Sequence, residues 1–393
     1  MKHALDGIVV ADFSRVLAGP LCTQLLGDAG ARVIKVEEPL RGDETRRWGP
    51  PFAGEVSAYF LSINRNKESI ALDLRRGGDV ARRLIERADV VVDNFLLHQR
   101  ESVGLDDVRA INRRAIHCTI RGYDADTADA DAPGYDLLAQ AGTGLMSITG
   151  DPDGVPMKTG VALSDVLTAH YAFGAIVTAL FARERTGEGA SIEVSLFAAT
   201  LASLVNVAQS ALVTGREAKR YGNAHPSIVP YQLFEARDRS FVMGAGTDRH
   251  FRALCERVIE RPELIDDRRF ATNVQRVRNR AKLIPILEAI FKTRPAKEWV
   301  SRCRKASIPV SLVQGVREAL RSESGKVLID NGALRHPVRV DGARRGTGAR
   351  PPILGEHTDR ILRELGYDAR AIAALRRDGI IPARTTAAKA RRR

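Results

Sequence analysis

The sequence predicts an α/β fold in which helices cover a largely parallel sheet. Through the first half of the chain, short apolar runs alternate with segments whose apolar residues recur at helical spacing. The first run is Ile8–Ala11, and the segment LCTQLLGDAG that follows has Pro20 near its start and Gly30 at its end. Proline in a first helical turn and glycine after a last one are typical helix boundaries. Repeated β-α-β units of this kind favour parallel strands.

The remaining elements of the first half continue the alternation. The predicted strands are VIKVE, the run from Ser69 to Leu74, VVVDNF and AIHCTI. Two helices are predicted between them, LDDVRAINRR and GGDVARRLIERAD, the latter with one apolar face formed by Val80, Leu84, Ile85 and Ala88. The glycine fingerprint G-x-G-x-x-G is absent after the first strand, which weighs against a nicotinamide dinucleotide site.

The second half begins with long apolar segments. Leu163–Arg185 is predicted as one long helix, IEVSL as a strand and FAATLASLVNVAQSALV as a second buried helix. Near Gly215 the chain becomes polar and rich in glycine and proline, as in a linker or active-site loop. The mixed segment from Tyr231 to Val313 then predicts a second, smaller domain.

Composition limits the classes of function. Apolar residues make up 44% and charged residues 28% of the 393 residues, as in an ordinary globular protein. No apolar stretch has the length of a bilayer span, and the N-terminus has a strand pattern, so we expect a cytoplasmic protein without a membrane partner. The four cysteines are far apart and have no C-x-x-C spacing, which predicts free thiols and no metal site.

The net charge of +13 favours anionic partners, either nucleic acid or a phosphorylated cofactor. The last eleven residues, ARTTAAKARRR, hold five basic residues, and we expect residues 383–393 to form a solvated, disordered tail. Aromatic residues are only 5% of the chain and do not alternate with basic ones, so no nucleic acid partner is expected.

Seven motifs from Leu5 to about Ile381 together resemble the family III coenzyme A (CoA) transferases. They are LAGPLCTQLLGDAGARVIKVEEP, GDETRRWGPPF, AYFLSINRNKESIALDL, DVVVDNF, KTGVALSDVLTAHYAFGA, GNAHPSIVPYQLF and LGEHTDRILRELGY. Residues 134–287 are most similar to the branch that includes succinate–hydroxymethylglutarate CoA transferase.

The resemblance implies a particular architecture. We expect a Rossmann-like large domain built from N- and C-terminal parts, a smaller α/β domain, and two chains interlocked as a homodimer. The expected boundaries are a large domain at 1–200, a linker at 201–224, a small domain at 225–320, and a linker returning to the large domain at 321–382.

The resemblance also names a reaction. Asp165 matches the nucleophile that forms a mixed anhydride with an acyl group and then a thioester with CoA. CoA then enters as a thioester substrate, with no permanently bound cofactor; the donor is expected to be succinyl-CoA and the acceptor a dicarboxylic acid. The reaction predicts an ionised Asp165 of low pKa, surrounded by hydrogen-bond donors. Taken on its residues alone, Ser164-Asp165 before an apolar helix is also a good N-cap sequence.

Further site residues are carried over by the same resemblance. Glycines that let the backbone approach an oxyanion are Gly142, Gly144 and Gly222. The residues expected to line the acyl site are Tyr135, Asp136, Trp48, Gly222, Asn223 and His225. The residues expected to contact CoA are Arg15, Val16, Ala18, Leu72, Arg75, Asn94 and Phe95. Tyr135 and Trp48 could instead be core residues, and His225 could order its loop.

The chain departs from the family pattern at several positions. Glu38 stands where many members have a cation, which Arg41 could replace, and the acidic run DADTADADA follows Gly122. The pattern after Phe95 is Leu-Leu-His-Gln in place of Pro-Gly. The candidate cations for a remote substrate carboxylate are Arg46, Arg47, Arg65 and Lys67.

Three other functions stay open at this point. Related acyl-CoA racemases carry a histidine where this chain has Tyr135, so two-base racemisation lacks one base. A basic nucleic-acid-binding protein would leave the ordered motifs unexplained. An inactive scaffold would not need Asp165.

Overall fold

The computed structural model describes residues 4–383; the predicted basic tail lies outside this range except for its first residue. The strands are β1 Val9–Asp12, β2 Arg32–Glu37, β3 Phe52–Ala53, β4 Val56–Ser57, β5 Lys67–Ala71, β6 Val90–Asp93, β7 Ile116–Arg121, β8 Ala190–Ser195, β9 Tyr231–Glu235, β10 Ser240–Gly244, β11 Val310–Leu312, β12 Ile329–Asp330, β13 Ala333–Leu334, β14 Arg339–Val340 and β15 Ala343–Arg344.

The α-helices are α1 Ala18–Asp28, α2 Ala58–Ile63, α3 Gly78–Arg87, α4 Leu97–Arg100, α5 Val108–Ile111, α6 Asp136–Gly142, α7 Leu145–Ile148, α8 Leu163–Thr186, α9 Leu196–Ala202, α10 Val205–Thr214, α11 Asp248–Ala253, α12 Glu263–Asp266, α13 Asn273–Arg278, α14 Arg280–Phe291, α15 Ala296–Lys305, α16 Val316–Arg321, α17 Glu323–Lys326, α18 Thr358–Glu364 and α19 Ala369–Arg377. Short 3-10 turns at Glu44–Arg47 and Glu101–Val103 and a π turn at Leu254–Val258 complete the helical structure of the described residues.

The main sheet has six parallel strands in the order β5-β2-β1-β6-β7-β8. The predicted α/β class with a parallel sheet is therefore confirmed. The chain builds outward from β1 to β2 and β5 on one side, and from β6 to β7 and β8 on the other. In open parallel sheets, the crevice where the strand order reverses is the usual place for a ligand, at the carboxyl ends of the strands. Here that place lies between β1 and β6.

Each face of this sheet is covered by its own hydrophobic core. Alternate residues of a strand point to opposite faces, so Val10 packs with α1 and α8, whereas Ala11 packs with α3 and α18. Strands β1 and β6 are buried on both faces, which explains why they appear in the sequence as continuous apolar runs.

The unit that contains this sheet is assembled from three stretches of chain: the residues up to Leu145, Thr159–Arg216, and the residues from Val327 onward. The last stretch returns to the edge strand β5. There His357 donates its backbone N–H to the Ser69 carbonyl at 3.0 Å, and Ala71 donates to Thr358 Oγ1 at 3.1 Å.

The second unit comprises Met146–Lys158 and Glu217–Lys326. Its antiparallel sheet has the order β11-β10-β9 and packs on helices α11 to α15. The core is aromatic: Phe291 lies between Phe234 and Trp299, with ring centroids 4.8 and 5.2 Å away. The buried guanidinium of Arg276 ties the unit together, because it donates to the carbonyls of Val229 and Phe270.

Several predictions about local structure are wrong. The segment FAATLASLVNVAQSALV forms two helices, α9 and α10, bent by 78°, and α10 contributes no buried residue. Its polar residues Asn206, Gln209, Ser210 and Thr214 share one face, and the apolar face opposite, which includes Leu212, is left uncovered by the described residues. Part of the predicted linker 201–224 is therefore helical, and residues 146–158, predicted in the large domain, belong to the second unit.

The predicted helix LDDVRAINRR shortens to α5 because Asn112 ends it: the Asn112 side-chain amide donates to the carbonyls of Ile85 and Ala88 at 3.1 and 2.9 Å. The four cysteines are buried and free, as predicted. By length and composition, α8 is apolar enough to cross a membrane. Its residues Ala169, Ala172 and Ile176 are fully buried in the core against the parallel sheet, whereas only 28% of its apolar 18-residue window is buried in all.

Candidate active site

A cavity of about 200 Å³ opens at the carboxyl ends of β1 and β6. It lies where the sheet topology favours a ligand. Seven of the residues predicted from the sequence line it: Arg15, Val16, Ala18, Asn94, Phe95, Tyr135 and Asp165. Two predicted CoA contacts do not: Leu72 is a core residue with 1% exposure, and Arg75 is exposed elsewhere on this unit.

The turns after β1 and β6 are joined to each other. Arg15 donates its backbone N–H to Asn94 Oδ1 at 3.0 Å, and Asn94 Nδ2 donates to the Arg15 carbonyl at 2.8 Å. The Arg15 guanidinium lies over the Phe95 ring and pairs with Glu44 at 3.1 Å. This half-exposed cation therefore lies at the rim of the cavity, available to an anionic ligand.

Asp165 is the third residue of α8 and is not its N-cap. The capping role belongs to Asp136, whose Oδ1 accepts the backbone N–H of Ser164 at 2.8 Å. The N-cap interpretation of Asp165 is therefore wrong. Asp136 is in turn held by Gln140, whose Nε2 donates to Asp136 Oδ2 at 2.8 Å. Asp136 thus fixes the start of the helix that carries Asp165.

The prediction of a low pKa for Asp165 is also wrong. Burial, and then the negative charge of Asp136, raise the pKa of Asp165 from 3.8 to about 7. The backbone N–H of Ala18, which lines the same cavity at the start of α1, acts in the opposite direction and lowers this pKa. A single donor does not offset desolvation. The result is a carboxyl group that exchanges its proton near neutral pH.

Two aromatic residues of the site are not core residues. Tyr135 is 58% exposed and Trp48 is 44% exposed, so the core interpretation of both is wrong. The Trp48 ring packs edge-on against Tyr59, with centroids 5.3 Å apart. Burial, and then the charge of Asp165, raise the pKa of Tyr59 to about 12, which makes its hydroxyl a neutral donor near the carboxyl group. Tyr59 was not singled out from the sequence, although it lies inside the motif AYFLSINRNKESIALDL.

The wall of the cavity depends on two glycines that touch each other. A Cβ added to Gly134 would lie 2.1 Å from the Gly122 Cα, and one added to Gly122 would lie 2.5 Å from the Gly134 Cα. Only glycine fits at either position. Gly142 and Gly144 are not among the described residues that line the cavity; Gly142 packs near the Phe197 ring.

Three of the four candidate cations are already paired inside the protein. Arg46 forms a bidentate pair with Glu37 at 2.7 Å, Arg65 pairs with Asp28, and Lys67 pairs with Asp12 at 3.0 Å. Arg47 is exposed and has no ion pair within residues 4–383. At Glu38, where the chain departs from the family pattern, the side chain accepts the backbone N–H of Arg41. Both residues are exposed.

Gly222, Asn223 and His225 belong to the second unit. Gly222 has a φ of +58°, as its turn requires. His225 Nδ1 accepts the backbone N–H of Ser227 at 3.1 Å, which supports its loop-ordering interpretation. Across the part of the chain that the structure describes, no group of histidine, cysteine and carboxylate side chains fits a metal ion.

Comparison with known proteins agrees with this geometry. The family model described as CoA-transferase family III matches residues 5–358. Succinyl-CoA:glutarate CoA-transferase of Mus musculus is 40% identical over 96% of this chain and 90% of its own length. Succinate–glutarate CoA-transferase of Agrobacterium fabrum is 37% identical over 93% of this chain and 96% of its own length.

A solved structure supports the fold as well as the sequence match. The crystal structure of a CaiB/BaiF family protein from Brucella suis has a TM-score of 0.83 and 39% identity, and the alignment covers 93% of this chain and all of that one. The resemblance inferred from the motifs is thus confirmed by sequence and by structure: the chain belongs to the family III CoA-transferases.

Proposed function

We propose that this enzyme transfers CoA from a succinyl-CoA-type donor to a dicarboxylic acid, with Asp165 as the covalent nucleophile. The observation that carries the proposal is the placement of Asp165 in the cavity formed by the β1 and β6 turns, beside the backbone N–H of Ala18. This carboxyl group is partly buried, so its ionised form is less solvated than that of a surface aspartate.

The reaction proceeds through covalent intermediates. An Asp165 oxygen attacks the thioester carbonyl, the C–S bond breaks, and CoA thiolate leaves with the electron pair, giving a mixed anhydride. The thiolate attacks the Asp165 carbonyl carbon and releases the donor acid, giving an aspartyl thioester. The acceptor carboxylate then displaces the thiolate from that carbon, and the thiolate attacks the new acyl carbon, which frees Asp165 and forms the product thioester.

Residues around Asp165 have distinct roles in this scheme. The Ala18 N–H can hold an oxyanion that develops on the Asp165 side, and the neutral Tyr59 hydroxyl can donate to the acyl side. Arg15 at the rim can contact the phosphorylated part of CoA. Gly222, Asn223 and His225 keep their proposed role in the acyl site, whereas Leu72 and Arg75, which do not line the cavity, are given no part in binding CoA.

Arg47 is the proposed partner of the remote carboxylate. Arg46, Arg65 and Lys67 are engaged in buried ion pairs, and removing any of them would leave an unpaired carboxylate. Arg47 is exposed and directly precedes Trp48, whose ring packs on Tyr59. The names of the two relatives, which act on succinate and glutarate, support a dicarboxylic acceptor.

We further propose an interlocked homodimer in the cytoplasm. Apolar side chains of α8 and α10 are uncovered: Phe181, Leu212 and Val213 are 61%, 80% and 75% exposed. Exposed apolar side chains of this size suit burial against a partner copy.

The test of the transferase proposal is intact-protein mass spectrometry after incubation with succinyl-CoA. Wild type and a control variant, Asp153→Asn at an exposed loop of the second unit, are expected to gain one CoA-containing adduct sensitive to hydroxylamine. Asp165→Asn is expected to gain none. If wild type forms no adduct with several acyl-CoA donors, the proposal is wrong, and α-deuterium exchange would then test racemisation.

The role of Arg47 is tested separately by Arg47→Met, with Arg41→Met as the control at another exposed arginine of the same segment. The KM for glutarate is expected to rise about tenfold or more in Arg47→Met, while the KM for a monocarboxylic acceptor changes little. Equal changes for both kinds of acid would exclude recognition of the second carboxylate by Arg47.

A further inference from the structure

Two buried aspartates end the neighbouring strands beside the cavity. Asp12 is the last residue of β1 and Asp93 the last of β6, and neither is exposed. Each carboxylate accepts from the turn that follows it: Asp12 Oδ1 from the backbone N–H of Ser14 at 3.0 Å, and Asp93 Oδ1 from that of Phe95 at 3.2 Å. These are the two turns that line the cavity.

Asp12 belongs to a buried cluster of charges. Lys67 Nζ pairs with Asp12 at 3.0 Å, and Lys35 Nζ donates to the Ser14 carbonyl at 2.8 Å while pairing with Asp43 at 2.9 Å. The side chains of both ion pairs are fully buried. The charges balance, two positive and two negative. Burying ions costs more than burying apolar groups of the same size, so stability alone does not account for the cluster.

The turn held by this cluster has a strained backbone. Val16, a β-branched residue, has a φ of +72°, a conformation that such residues rarely adopt. Strain of this kind persists only where the surroundings fix the backbone from several sides. Here Asp12 holds the Ser14 N–H and hydroxyl, Lys35 holds the Ser14 carbonyl, and Asn94 holds Arg15. Gly19 completes the fit, since a Cβ there would lie 2.3 Å from Ser14 Oγ.

The turn ends at Ala18, which lines the same cavity as Asp165. We infer that the residues of the buried Asp12–Lys67 and Lys35–Asp43 pairs are positioning residues for the reaction. They hold the Ser14–Ala18 turn so that the Ala18 N–H faces the nucleophile. This inference rests on the proposed function of Asp165 for its catalytic consequence, though the fixing of the turn can be measured without activity.

The test compares two charge-neutral double variants. Lys35→Met with Asp43→Asn removes the bond to the Ser14 carbonyl and leaves no unpaired charge. The control is Arg183→Met with Asp89→Asn, which removes an ion pair of 3.0 Å whose arginine is also buried. Asp89 directly precedes β6, so this pair lies at the amino ends of the strands, opposite the cavity. Melting temperatures establish that both variants fold. Each protein is then assayed at the same number of degrees below its own melting temperature, so that a difference in global stability does not affect the comparison.

Amide hydrogen exchange is then measured on the free and the succinyl-CoA-treated enzyme, and the single-turnover rate of adduct formation and the KM for succinyl-CoA are measured as well. Amide hydrogen exchange of residues 14–18 is expected to accelerate about tenfold or more in the Lys35 variant and to stay near wild type in the control. The single-turnover rate of adduct formation is expected to fall about 100-fold in the Lys35 variant, because small displacements of a reacting geometry cost this much. Its KM for succinyl-CoA is expected to change less than about threefold, since the remaining contacts bind the substrate.

The outcomes separate this inference from the proposed function. Unchanged exchange of residues 14–18 in the Lys35 variant, or an equal loss of rate in both double variants, would overturn the positioning role. Absence of an adduct on wild type would refute the transferase proposal, and the exchange data would still decide whether the buried pairs fix the turn.

Discussion

Replacing Asp165 with asparagine is expected to stabilise the protein above neutral pH while abolishing adduct formation. The pKa of Asp165 is raised from 3.8 to about 7 by burial and by the charge of Asp136. Each unit of pKa corresponds to about 1.4 kcal/mol, so ionising this group in the folded state costs up to about 4 kcal/mol relative to the unfolded chain. Asparagine has nearly the same shape and carries no charge, so it avoids this cost.

The pH at which the difference appears follows from the two pKa values. Below about pH 4 the carboxyl is protonated in both the folded and unfolded states, and its ionisation contributes nothing. Between pH 4 and 7 the folded state holds a proton that the unfolded state has lost, so the wild-type free energy of unfolding falls as pH rises. Above about pH 7 the loss is complete. The variant lacks this pH-dependent contribution.

The assay is urea unfolding of both proteins from pH 4.5 to 8, at one protein concentration because an oligomer's stability depends on it. The gap in unfolding free energy, variant minus wild type, is expected to widen with pH and to level off above pH 7 at a few kcal/mol, with about 4 as the upper limit. A gap that stays constant across this range would refute the raised pKa, and a gap of the opposite sign would show that the ionised form is stabilised in the fold.

Three further predictions follow from described contacts. The single-turnover rate of adduct formation should rise about tenfold per pH unit up to about pH 7 and then level off, if ionised Asp165 is the attacking form; a flat profile would contradict this. Arg15→Ala should raise the KM for acyl-CoA about tenfold or more and weaken the salt dependence of binding, with Arg75→Ala as the comparison. Gly134→Ala should destabilise the protein by about 2 kcal/mol or more, since its Cβ meets the Gly122 backbone; a melting temperature equal to wild type would show that the wall can shift.

The sequence predicted the architecture of the unit with the parallel sheet well, because local patterns and topology agree there. Strands buried on both faces appear as short apolar runs, and their alternation with helices indicates the parallel sheet. The prediction from sequence failed where the structure depends on a tertiary contact. The chain ends helix α5 early because Asn112 reaches carbonyls of Ile85 and Ala88, and no periodicity reports such a contact.

The same distinction applies to the site. The motifs placed Asp165 and the β1 and β6 turns at one cavity, because motif residues follow strand ends that topology brings together. The environment of Asp165 could not be predicted, since its pKa depends on burial and on Asp136, which is 29 positions away along the chain but caps the same helix. The role of Tyr59 depends likewise on packing that its own motif does not encode.

The unit that contains the parallel sheet follows a discontinuous path along the chain, which has a consequence for synthesis on the ribosome. Edge strand β5 is bonded to His357 and Thr358, which leave the ribosome almost 290 residues later. Glu217–Lys326, by contrast, contains nearly all of the second unit's core and is translated as one stretch. The inserted unit can therefore fold while the parallel sheet is still incomplete, with its edge and part of one face uncovered. Nascent chains stalled before residue 350 should accordingly depend on chaperones far more than full-length chains do.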